Sequence, residues 1–149
     1  MSESLLSTLP CMCASFRRTS RALTHLYEQA LRPHGLRASQ FTILQTLALA
    51  GEVTQGHLGE MLAMDSTSLT RTLAIMGRRG WITVRPGKDR RERWLQLASG
   101  GQTKLRHAQP LWGKVQSRLR RQLGPQAWKN LLQLTQQLTQ VVKTQGGSL

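Results

Sequence analysis

The stretch "LTRTLAIMGRRGWITVRPGKDRRERWLQLA", Leu69–Ala98, decides how this chain folds. Its first part is helical: Leu69, Leu73 and Met76 step by four and three, which puts them on one face. Gly80 stops that helix, and the period then changes. Trp81, Ile82 and Val84 are strand formers, and "RWLQLA" alternates. Trp94 and Gln96 fall on one side, and Arg93, Leu95 and Leu97 on the other. Pro86 and Gly87 between the two runs are strong turn signals. The stretch therefore reads as a helix followed directly by a β-hairpin with "PGKDRRE" at its tip.

Upstream lies a second short helix, "QGHLGEMLA", with Thr54 as its cap and Leu58, Met61 and Leu62 turned inward. "MDS" is a tight turn, and Asp65 or Ser66 caps the helix that follows. Two short helices across such a turn form a helix-turn-helix pattern. The outer face of the second helix offers Thr67, Ser68, Thr70, Arg71 and Thr72. Short hydroxyls let a backbone approach phosphates or base edges, and an arginine can take a guanine bidentately. A solvated helix face is the plain alternative. The neighbours favour the first reading, because residues 78–93 hold seven Lys and Arg against two acids, Asp89 and Glu92. That run lies beside the candidate reading helix, where it would face phosphates or a minor groove.

Working outward, residues 10–32 have helical spacing in Phe16, Leu23, Leu26, Tyr27 and Ala30, ended by Pro33 and Gly35. A second helix has Ser39 as its cap and is nearly continuous hydrophobe at Phe41, Ile43, Leu44, Leu47 and Ala48, the mark of a buried helix. After Ser99-Gly100-Gly101 the helical period returns in Leu105, Ala108, Trp112, Val115 and Leu119. Pro110 inside this pattern is expected to kink or interrupt it. Gly124-Pro125 breaks it, and a final helix carries Leu131, Leu134, Leu138 and Val141 as a coiled-coil-like seam. The terminal helices thus carry apolar seams that a helix-turn-helix module does not need. They call for a partner surface, and a second copy of the chain supplies one.

The whole-chain balance agrees. The 149 residues carry a formal net charge of +14, which predicts a polyanionic partner. No apolar run approaches the ~18 residues of a membrane span, and "MSESLLSTLP" has no basic leader region. A cytoplasmic protein without membrane contact is expected. Residues 93–149 contain no carboxylate, and no Gly-rich phosphate loop, HExxH or GxSxG is present. No enzyme, cofactor or metal is expected.

The order of helix, buried helix, helix-turn-helix, "RRGWI" and the tip "KDRRERWLQLA" resembles the MarR family of winged-helix transcription regulators over residues 10–143. Its most specific part is the D-x-R of Asp89-Arg90-Arg91. The resemblance implies a mainly α fold with a small β-hairpin wing. Residues 36–99 would form the winged helix-turn-helix, and helices in 5–35 and 100–145 the dimerisation region of a single 1–149 chain. It implies Ser66, Ser68, Thr70 and Arg71 on the recognition helix. Arg91 would enter a minor groove with Asp89 orienting its guanidinium, while Lys88 and Arg90 hold phosphates. It also places Trp112 beside a cavity for a small-molecule effector.

The two cysteines, Cys11 and Cys13, stand as C-x-C at the start of the first helix, too few for a closed zinc site in one chain. They read either as buried small hydrophobes near the dimer interface or as a redox or thiophilic-metal sensor. A hydroperoxide-sensing branch of the MarR family has a reactive cysteine and a tyrosine fourteen residues later, which Cys13 and Tyr27 match. It also has a second tyrosine where this chain has Ala38. The expected function is a homodimeric repressor on a pseudo-palindromic duplex, released by a small ligand or thiol modification. The competing expectations are a nonspecific architectural protein that coats nucleic acid by charge and, more remotely, a thiol-dependent redox enzyme, which lacks a C-x-x-C here.

Overall fold

A computed structural model describes residues 11–146. Residues 5–10 of the expected N-terminal dimerisation segment and 147–149 of the tail lie outside them. The described chain runs α1 (Met12–Leu31), a 3-10 turn (Arg32–His34), α2 (Ala38–Ala50), β1 (Val53–Thr54), α3 (Gln55–Leu62) and α4 (Ser66–Arg78). It continues with β2 (Ile82–Pro86), β3 (Arg93–Leu97), α5 (Ser99–Leu123) and α6 (Pro125–Gly146). This is the expected mainly helical fold with a small hairpin.

The core gathers around α2. Phe41, Ile43, Leu44 and Leu47 meet Leu58 of α3, Leu69, Leu73 and Met76 of α4, Leu95 of β3 and Leu105 of α5. The four-and-three spacing in α4 therefore does what its sequence implied. Two inward readings fail: Met61 is 48% exposed, and Ala48 is exposed together with Leu49 and Ala50 at the end of α2. From α3 the core takes Leu58, with the half-buried Leu62 packed against it.

Ser39 does not cap α2, which begins one residue earlier. Its first N–H groups are met by two other side chains. The Glu28 carboxylate of α1 accepts from Ala38 N at 2.9 Å, and Gln40 Oε1 accepts from Arg37 N at 2.9 Å. A partner ten residues away thus adds to the local capping box of Arg37 and Gln40. Glu28 also holds Arg32 at 2.9 Å, so one carboxylate closes the joint between α1 and α2.

The hairpin is one edge of a three-stranded antiparallel sheet of order β1-β3-β2. Val53 pairs with Leu95, and Ile82 with Leu97. The alternation read in β3 holds only in part: Leu95 is buried, Leu97 half-buried and Gln96 exposed, but Arg93, on the face of Leu95, is exposed at the strand's start, and Trp94, on the opposite face, is half-buried under Arg85. The sequence reading missed β1, whose two residues are too short to show a period.

Helix α5 begins at Ser99, so Gly100 and Gly101 lie in its first turn rather than before it. A Cβ on Gly100 would stand 2.6 Å from the Gly80 carbonyl oxygen, and one on Gly101 would overlap the Trp81 carbonyl and stand 2.8 Å from Leu97. The glycines let α5 start flush against the end of the hairpin. Gly101→Ala is expected to lower the stability by about 1–3 kcal/mol, read as a lower urea midpoint with an unchanged slope.

Pro110 does not interrupt α5, which is continuous over 25 residues. Arg106 and Pro110 are both exposed, so the carbonyl that loses its donor at Pro110 opens to water. Gly124 and Pro125 separate α5 from α6 as expected, with Pro125 at the first helical position.

Candidate nucleic-acid interface

Asp65 caps α4, its carboxylate accepting from Ser68 N at 2.8 Å. That backbone bond, with a further one from the Ser68 side chain, holds the Asp65 carboxyl below its ordinary range. The cap fixes the first turn, where Ser66, Thr67 and Ser68 are exposed. Thr67, Arg71, Ala74 and Arg78 follow at helical spacing on the outer face, opposite Leu69, Leu73 and Met76. Thr70 is exposed, and its hydroxyl accepts from Gln55 Nε2 of α3 at 2.9 Å. Thr72 departs from the expectation: it is half-buried, and its hydroxyl donates to Ser68 O at 2.8 Å. It braces the helix instead of facing outward.

The hairpin tip is closed by backbone bonds. Gly87 N donates to Glu92 O at 2.8 Å, and Glu92 N to Asp89 O at 2.9 Å. The Asp89 carboxylate accepts from the backbone N of Arg91 at 3.0 Å. The expected grip of Asp89 on the Arg91 guanidinium is therefore a grip on its backbone, an Asx-turn that aims the residue. Gly87 is required here, because a Cβ would stand 2.8 Å from that of Glu92.

The basic run divides into two sets. Arg85 makes a two-pronged ion pair with Glu52, at 2.6 and 2.8 Å, and stands over the Trp94 ring at 5.2 Å. The pair lowers the Glu52 pKa and raises that of Arg85. Arg79 donates to Gly35 O at 3.1 Å. The side chains of Arg71, Arg78, Lys88, Arg90, Arg91 and Arg93 form no ion pair among the described residues. All six are exposed. The sequence could not separate these sets, because the partners of Arg79 and Arg85 lie 44 and 33 residues away.

An open groove of about 1560 Å³ runs between α4 and the wing. It brings together Ser66, Thr70, Lys88, Asp89 and Arg91. Thr67, Ser68, Arg71 and Arg90 lie outside it. Glu60, Asp65 and Glu92 also line the groove, so its wall is mixed in charge.

The cysteines are not buried in this chain. Cys11 and Cys13 are both exposed, because α1 reaches the core only near its C-terminal end, where Leu31 alone is fully covered. Arg17 Nη2 donates to Cys13 Sγ at 3.7 Å. Tyr27 is half-buried against the core, and that burial pushes its hydroxyl pKa up. Cys13 and Tyr27 lie on the same helix about 21 Å apart along its axis, so they do not meet within one chain. Trp112 stacks on Phe41, with ring centroids 5.8 Å apart, and packs against the core. Among the described residues no three metal-ligating side chains converge, and no helix is long and apolar enough to cross a membrane.

Known proteins share this arrangement. A family model described as MarR family matches residues 34–92. The transcriptional regulator MosR of M. tuberculosis, solved in complex with DNA, is 33% identical to this chain. The two superpose with a TM-score of 0.74 over 88% of this chain and 98% of that one. A mutant MarR from E. coli, complexed with operator DNA, is 23% identical, with a TM-score of 0.77 over 89% and 95% of the two chains. That likeness carries the fold alone. An uncharacterized HTH-type transcriptional regulator of Bacillus subtilis (strain 168), YwoH, is 29% identical over 87 residues. The match covers 58% of this chain and 64% of YwoH, just under two thirds of that relative's length.

Proposed function

Because the chain belongs to the MarR family of transcriptional regulators, we propose that it is a homodimeric repressor that reads a pseudo-palindromic DNA site. In this reading residues 36–99 are the winged helix-turn-helix, and helices in 5–35 and 100–145 form the dimer. The observation that carries it is the groove in which α4 and the wing place Ser66, Thr70, Lys88 and Arg91 together. Helix α4 enters a major groove, with Arg71 on base edges and Ser66, Thr67, Ser68 and Thr70 on phosphates or bases. Arg91, aimed by Asp89, enters the neighbouring minor groove, while Lys88 and Arg90 hold the backbone.

Two such heads about 34 Å apart match half-sites one helical turn apart. An effector, small molecule or thiol oxidant, changes that separation, and the two heads then no longer fit both half-sites. MosR was solved with DNA, which supports the DNA reading. The +14 charge alone suits an architectural coating protein equally, and competition with random duplex separates the two. No membrane role is proposed, and the cytoplasm is the proposed compartment.

Arg91→Ala is expected to weaken binding to a selected duplex and to flatten its salt dependence by about one unit of slope per wing contact. Unchanged affinity and slope would remove Arg91 from the interface. The thiol arm has its own test. Diamide or a hydroperoxide should release DNA from the wild type and not from the double variant Cys11→Ser/Cys13→Ser. Equal release from both would leave the small-molecule effector as the remaining signal.

A further inference from the structure

Three segments far apart in sequence converge on Trp81. Arg79, the residue that ends α4, stands over its ring at 5.0 Å, and Lys104 of α5 at 5.4 Å. Both cations then reach the turn between α1 and α2: Arg79 donates to Gly35 O at 3.1 Å, and Lys104 donates to His34 O. Trp81 is itself 8% exposed. Its N–H donates to Met76 O, and its carbonyl accepts from Ala98 N, both at 3.0 Å. Gly101 leaves room for that carbonyl beside the start of α5. One residue thus joins the end of the reading helix, the end of the hairpin and the start of α5, and two cations tie it to the end of α1.

We infer that Arg79, Trp81 and Lys104, closed on the carbonyls of His34 and Gly35, set the tilt of α4 against α1 and α5 and so select the spacing between half-sites. The inference rests on the dimeric reading above, in which α1 and α5 belong to the dimer. The lever is long. Helix α4 has 13 residues, about 20 Å, and the clasp holds its C-terminal end. A tilt of about 10° there carries its N-terminal end by about 3.5 Å, which is one base-pair step. The apolar core fixes that α4 packs against the sheet. Trp81 belongs to that core, while the two cations of the clasp, an exposed Arg79 and a half-buried Lys104, lie at its edge and add the angular constraint at the joint itself. These residues position the reading head and do not contact DNA.

The test is a pool of duplexes with two fixed half-sites and spacers varied in single base-pair steps. Wild type, Lys104→Gln, Arg79→Gln and Lys104→Arg are compared, with thermal unfolding of each. The wild type should prefer one spacing by about fivefold or more over its neighbours. Lys104→Gln and Arg79→Gln should flatten that preference to within about twofold while holding a single half-site as the wild type does. Lys104→Arg keeps the cation and should keep the preference. Retention of the wild-type optimum and sharpness in both glutamine variants would overturn the clasp's role. A wild type that shows no paired half-sites would overturn the dimeric reading, and the spacing role with it.

Discussion

Placing lysine at both Leu134 and Leu138 of α6 is expected to yield a folded monomer that has lost about 10²–10⁴-fold in affinity for a two-half-site duplex. Leu134 is 60% exposed and Val141 50% exposed. With Leu131 and the half-buried Leu138 they repeat every three and four residues along one face. Met12, Phe16 and Leu23 are exposed on α1 in the same way. The core lies elsewhere, so the chain should stay folded when this face is charged. Two lysines per chain facing their copies across an apolar seam would be left unpaired, which an interface does not tolerate. Circular dichroism should show wild-type helix content, sedimentation a single chain, and anisotropy the loss of tight binding. A variant that sediments and binds like the wild type would show that the seam is not the dimer contact.

Arg71→Ala carries the second large effect. Arg71 is exposed on the outer face of α4, and among the described residues it has no ion pair to release it from. In the major groove its guanidinium would be bidentate to one guanine in each half-site. Removing it should cost about 1–3 kcal/mol per half-site, and discrimination should fall at one symmetric pair of positions. A loss spread evenly over all sequences would make Arg71 a phosphate contact instead.

The fold was legible where its signal is local. Leu69, Leu73 and Met76 repeat within one helix, "PGKDRRE" concentrates turn residues, and Gly124-Pro125 ends one helix and begins another. It was not legible where a distant residue decides. Glu28 supersedes Ser39 as the start of α2, and Glu52 takes Arg85 out of the basic run. Gly35 takes Arg79 in the same way. Pro110 does not break α5, because the Arg106 carbonyl that loses its donor belongs to an exposed face, where water can replace it. Whether the cysteines face a partner or solvent was not legible either, because α1 carries both of them away from this chain's own core.

The same division applies to the interface. The candidate residues were found by type and period, but their state was not. Asp89 acts on the backbone of Arg91, and Thr72 turns back onto Ser68. Of seven cations in residues 78–93, two are tied into the fold and five remain for a ligand. A coating protein needs no such sorting. A reader of sequence does, because its cations must stand at fixed places.

Selection of bound duplexes from a fully random pool, followed by competition of the winner against random DNA at fixed salt, tests the central claim most directly. A sequence-specific dimer should recover a pseudo-palindrome with half-sites about 10 base pairs apart, and prefer it by at least ~10³-fold. Recovery of no common sequence, with the winner and random duplex bound alike, would contradict the account and leave a protein that holds nucleic acid by charge.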